Sequence, residues 1–102
     1  MKLKDISETF KADLQDPEFV QMYLEEALQD GLSNFLLALR YVVQANQGMS
    51  AISQETDLGR ESLYKTLAET GNPHFATIDK ILKSLGLRLS IVTEPATQAP
   101  SA

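Results

Sequence analysis

Apolar residues recur at helical spacing along most of this chain. Phe19, Tyr23 and Ala27 stand four apart, and Val20, Leu24 and Leu28 form the neighbouring row. The two rows make one stripe, which predicts an amphipathic helix over 17–29. Its start is marked by Asp16 as N-cap, Pro17 at the first helical position and Glu18 in the first turn, and Gly31 is a plausible C-cap. Ser33 opens a second helix, whose core face is Phe35, Leu36, Leu39, Val42 and Val43 up to about Asn46, with Gln47-Gly48 as the stop. Ser50 is placed to cap a short third helix over 51–57, and Asp57-Leu58-Gly59 reads as a tight break. A fourth short helix over 60–68 turns Leu63 and Leu67 inward, and the run Glu69 to Pro73 is a turn cluster. A fifth begins at Thr77 or just before, carries Ile78, Ile81, Leu82 and Leu85 on one side, and ends at Gly86.

The period then changes. Leu87, Leu89 and Ile91 alternate with Arg88 and Ser90 ahead of Val92, which predicts a short strand with the three apolar residues inward. A lone strand leaves its backbone groups without partners. Pairing with the same segment of a second copy is the simplest remedy, so Leu87, Leu89 and Ile91 are the expected dimer contacts. The expected architecture is all-α, five helices with a short C-terminal β-strand. Residues 1–15 read as a flexible N-terminal arm, 16–92 as the folded domain and 93–102 as a disordered Pro-, Ala-, Ser- and Thr-containing tail.

Composition narrows the function. The 102 residues fit one domain with one modest core. There is no cysteine, so disulfides and thiolate metal sites are excluded. Charges run through the first residues, so no secretory leader is expected, and no stretch approaches the roughly 20 apolar residues of a membrane span. A cytoplasmic protein that meets no membrane is the expectation. The net charge of −5 argues at first against nucleic acid. Its distribution softens that objection: residues 1–46 hold four basic and eight acidic side chains, whereas 47–92 hold five of each. The acidic half suits a basic partner.

Two short helices joined by a tight turn and packed on longer ones have the layout of a helix-turn-helix. In that motif the second helix enters the DNA major groove, its first residues nearest the base edges. With Leu63 and Leu67 inward, Glu61 and Lys65 point outward, and Ser62 and Tyr64 lie on the flanks. Arg60 in the first turn suits a guanine edge or a phosphate. Ser62 can bond a base or a phosphate, Lys65 can neutralise a phosphate or reach a base, and Glu61 can accept from cytosine or hold Arg60 in place. Tyr64 reads as part core and part groove wall. Ser50 and the amides that follow it suit a phosphate oxygen. The plain alternative is a solvated face with an i, i+4 pair between Glu61 and Lys65. His74, the single histidine, lies in a turn and reads as structural or solvent-facing. Glu25 and Glu26 are adjacent on their helix, about 100° apart, and do not converge on a shared site. With no acid–base pair, no phosphate-binding glycine loop and no metal-ligand cluster, neither an enzyme nor a cofactor is expected.

Several segments together resemble a known family. They are Gly48-Met49-Ser50, the run Thr56 to Lys65 with its Arg-Glu-Ser-Leu-Tyr-Lys core, Gly71-Asn72-Pro73, and Leu85-Gly86-Leu87-Arg88-Leu89, with Asp16 to Phe19 and Tyr23 to Leu28 ahead of them. Across roughly 13–92 they are similar to the probable addiction-module antidotes, the antitoxins of bacterial and phage type II toxin–antitoxin systems. That resemblance implies a lambda-repressor-like helix-turn-helix domain. It also implies neutralisation of a small basic toxin of the RelE/ParE type, and repression of its own operon by a homodimer bound to double-stranded operator DNA. Two positions depart from the family pattern: Asp57 stands where relatives tend to have Gly, and Gly59 where they tend to have Ser. Asp57 also puts a negative charge near the expected DNA face. The acidic region 1–30 is the expected toxin-facing surface, with the tail as the alternative. Competing readings are a stand-alone phage-type transcriptional regulator without a toxin partner, and an interaction module that keeps the fold without reading DNA.

Overall fold

A computed structural model describes residues 10–68 and 72–94. Five helices follow one another: α1 (Pro17–Gln29), α2 (Leu32–Ala45), α3 (Gly48–Thr56), α4 (Arg60–Thr66) and α5 (Phe75–Ser84). A helical turn at 10–13 precedes them. The helix α1 packs on α2, α2 on α3, and α3 on both α4 and α5. The core gathers on α2, where Leu36, Leu39, Val42 and Val43 are fully buried, and meets Ile52, Leu63, Leu67 and Ile81 from the later helices. All five residues expected on the core face of the second helix are buried. On α1, Val20 and Leu24 are buried and Phe19, Tyr23 and Ala27 pack against the core edge, whereas Leu28 stands half in solvent.

Local signals set several boundaries. The Asp16 carboxylate accepts a bond from the Glu18 amide at 3.2 Å, with Pro17 opening α1. At the end of α5 the Leu87 amide donates to the Leu82 carbonyl at 2.8 Å and the Gly86 amide to Lys83 at 3.0 Å. This is the Schellman arrangement, and it needs a left-handed residue at its centre, which Gly86 supplies with φ 81°. The third helix begins earlier than expected. Gln47 is its N-cap and α3 starts at Gly48, so Ser50 sits inside the helix and caps nothing. A glycine can open a helix here because the chain enters it at φ 83°.

Two further expectations differ from the structure. Part of the supposed N-terminal arm is docked: Leu14 is buried, the Gln15 side-chain amide donates to the Ala45 carbonyl at 2.7 Å, and Asn46 Nδ2 donates to Leu14 and Val42 carbonyls, each at 2.8 Å. The packed region therefore includes residues 10–15, while residues 1–9 lie outside the described part. The strand expected at 87–92 is absent; residues 87–94 carry neither strand nor helix. A single copy offers no strand edge among its described residues, and a strand without a partner has no ladder to close. The alternation serves packing instead. Leu87 and Leu89 lie half-buried against the core while Ile91 is 98% exposed. The tail from 95 onward, expected to be disordered, lies outside the described residues. No helix among the described residues is long and apolar enough to cross a membrane.

Candidate nucleic-acid interface

The pair α3–α4 is joined by three residues, 57–59. Two features shape this connection. Asp57 adopts the left-handed conformation, φ 60° and ψ 25°, which reverses the chain at the end of α3. Ser53 then reaches across the turn and donates its hydroxyl to the Leu58 carbonyl. Gly59 is extended and acts as the N-cap of α4, without a side chain to accept from the free amides. The expected left-handed tolerance of Asp57 and capping position of Gly59 are both used.

A helix of seven residues is too short to be stable alone. What holds α4 is burial. Leu63 and Leu67 are fully enclosed, and Leu63 and Leu67 amides bond back to the Gly59 and Leu63 carbonyls at 2.9 and 3.1 Å. Fixing that face inward leaves Arg60, Glu61, Ser62, Tyr64 and Lys65 exposed. The five candidates on α4 thus share one accessible surface. Ser50 is also exposed, but on α3, and no hydrogen bond ties it to the α4 group among the described residues. The ion pair expected of a plain solvated face, Glu61 with Lys65, is not formed; among the described residues the pair that does form is Lys83 with Asp79 on α5, at 3.0 Å.

The structure adds a residue that the sequence reading passed over. Arg40, on α2, places its guanidinium 5.5 Å from the centre of the Tyr64 ring. Arg60 approaches the same ring at 6.0 Å. Both distances fall within cation–π range. Tyr64, at 36% exposure, is therefore a shared platform for two guanidinium groups from different helices. A signal for Arg40 exists in the sequence: it is the one charged residue in the segment 32–45, and a charge on an otherwise core-forming helix calls for a specific outlet. With Arg40 included, this surface carries three basic groups, Arg40, Arg60 and Lys65, against the acids Asp57 and Glu61.

A family model described as "Probable addiction module antidote protein" matches residues 4–93. The chain belongs to that family. A relative from Haemophilus influenzae, named only as an uncharacterized protein, is 42% identical over 79 residues, covering 76% of this chain and 80% of its own length. No solved structure matches. The match takes in all of α1 to α5, together with the docked turn at residue 10 and most of the segment after α5.

The other surfaces of this antidote are of different character. Helix α1 and its ends expose Glu18, Glu25, Glu26 and Asp30 together with Met22, and within the described residues none of these acids is ion-paired. Tyr23 stacks on Phe19 at 5.9 Å and meets Phe10 edge-on at 5.8 Å. Burial raises its phenol pKa above the ordinary value, and Tyr41 nearby adds to the rise.

Proposed function

We propose that this chain is an antitoxin and autorepressor. It neutralises a small basic toxin of the RelE/ParE type and, as a homodimer, binds operator DNA through a helix-turn-helix formed by α3 and α4. The observation that carries the reading is the family match over residues 4–93. Its DNA-binding half is supported by α4, whose buried Leu63 and Leu67 leave Arg60, Glu61, Ser62, Tyr64 and Lys65 facing solvent. In such an arrangement Glu61, Ser62 and Lys65 address base edges while Ser50 on α3 lies toward the backbone. Two reading helices in a dimer would address half-sites about 34 Å apart. The toxin-facing surface is α1, whose exposed carboxylates complement a basic protein. The dimer contact is the segment after α5, where Ile91 is exposed beyond the packed Leu87 and Leu89. No catalysis and no cofactor are part of this reading.

The test has two arms. In the first, the adjacent small gene is expressed alone and then together with this chain. Growth arrest relieved by co-expression, with the two proteins co-purifying, supports the antitoxin; a harmless neighbour refutes it. In the second, the chain is titrated onto its own upstream region at several salt concentrations. A specific, strongly salt-dependent complex that is lost in the Arg60→Ala, Lys65→Ala double variant supports the reader. Intact binding by that variant refutes the choice of residues.

A further inference from the structure

The reading of α4 as the DNA-facing helix leaves Arg40 without a role, since it belongs to α2 and lies outside the two-helix unit. Its position is nonetheless specific. Two guanidinium groups, one from α2 and one from the first residue of α4, lie over a single tyrosine ring at 5.5 and 6.0 Å. Neither has a carboxylate within ion-pair distance among the described residues. Two like charges gathered around one ring without a counter-ion make that spot favourable for an approaching anion. The guanidinium carbons are at most about 12 Å apart, a span that covers neighbouring phosphates on one DNA strand, where each charge advances about 3.4 Å of helix axis. Arginine also presents a planar fork matched to phosphate oxygens, and stacking on an aromatic ring limits its motion before the anion arrives.

Resting on the DNA-binding reading, we propose that Arg40 and Arg60 form one backbone-phosphate clamp with Tyr64 as its positioning residue. The clamp contacts phosphate and not base, so it adds affinity without sequence preference. It supplies positive charge that α4 lacks, since Arg60 and Lys65 there are set against Glu61 and the nearby Asp57. Arg40 thereby widens the footprint from the reading helix to the helix that carries the core.

The test measures binding by fluorescence anisotropy across a salt series. The probes are a duplex of the chain's own upstream region and a scrambled duplex of the same length. Arg40→Ala should lower the salt slope by about 0.9 for each bound protomer, equivalent to about fivefold weaker binding per protomer at 0.15 M salt. The loss should be the same on both duplexes. Arg40→Lys, which retains a charge, should keep most of the slope. Tyr64→Leu should weaken both duplexes and Tyr64→Phe, which retains the ring, should restore binding. Melting curves for each variant establish that it is folded. A folded Arg40→Ala protein that binds like the wild type overturns the clamp while leaving the DNA reading intact. A loss confined to the specific duplex overturns the assignment to phosphate. Failure of the wild type to bind either duplex overturns the DNA reading and the clamp with it.

Discussion

Asp57 tests whether the turn between α3 and α4 is as conformationally demanding as its backbone indicates. At φ 60° and ψ 25° it is the one non-glycine residue with positive φ among the described residues. An ordinary L-residue in that conformation costs about 1–2 kcal/mol, because Cβ crowds the following carbonyl, and Asp and Asn suffer less. Asp57→Ala removes that tolerance and should destabilise the fold by about 1 kcal/mol, a fall in Tm of roughly 4–8 °C for a domain of this size. Asp57→Asn keeps the shape and the tolerance, so its Tm should stay within about 2 °C of wild type, a change of at most a few tenths of a kcal/mol. Asp57→Gly relieves the crowding entirely but loosens the unfolded chain, and should lie above the alanine variant by about 1 kcal/mol. The assay is thermal or urea denaturation at one fixed protein concentration, which matters under the proposed dimerisation. An alanine variant as stable as asparagine and glycine variants would refute the argument, since it would mean the turn accommodates any residue. The same series reports on function: Asp57→Asn and Asp57→Gly each remove a negative charge from the proposed DNA face and should tighten operator binding most at low salt.

Three further outcomes are expected. Leu63→Ala empties a fully buried site under a seven-residue helix and should cost about 2–5 kcal/mol, with amide exchange accelerated more across α4 than across α2; unchanged exchange in α4 would contradict the dependence of that helix on Leu63. Gly59→Ser should stabilise by a few tenths of a kcal/mol, because a Cβ there meets nothing closer than the Ser62 hydroxyl at 3.8 Å and the new hydroxyl can accept from a free amide of α4; a fall in Tm would show that the cap is sterically closed. Tyr23 predicts alkaline sensitivity. Its folded pKa is raised, so its contribution is fully present below the ordinary tyrosine value near 10 and is lost as pH rises from there through the folded pKa. Tyr23→Phe should flatten that part of the stability profile, measured by urea denaturation between about pH 9 and 11; an unchanged slope would assign the effect elsewhere.

Much of this architecture is decided locally. Helical spacing of apolar residues located α1, α2, α4 and α5, because a buried stripe must repeat with the turn of the helix whatever the stripe packs against; α3, placed from Ser50 as a cap, starts instead at Gly48. Asp16-Pro17 and Gly86 marked ends for reasons that reside in a few neighbouring backbone groups. The outward set Arg60, Glu61, Ser62, Tyr64 and Lys65 followed from fixing Leu63 and Leu67 inward, which is again one helix's own geometry. The characteristic segments that resemble antidotes are also local, and the family match bears out that resemblance.

What local pattern left open depended on partners distant in the chain. Residues 10–15 lack a periodic signature, yet Leu14, Gln15 and Asn46 dock them onto the end of α2 through bonds spanning 30 and 32 residues. Alternation at 87–92 carried the period of a strand, but a strand exists only against another edge, and in one copy the alternation instead tucks Leu87 and Leu89 against the core. Arg40 is the clearest case. In the sequence it is one charge 20 residues before Arg60 and 24 before Tyr64. Only the packing of α2 beside the α3–α4 unit brings the three together over one aromatic ring. The sequence by itself determined the helices, their inward faces and the family; the tertiary structure decided which charges act as a group, because electrostatic interaction depends on distance in space and not on separation along the chain.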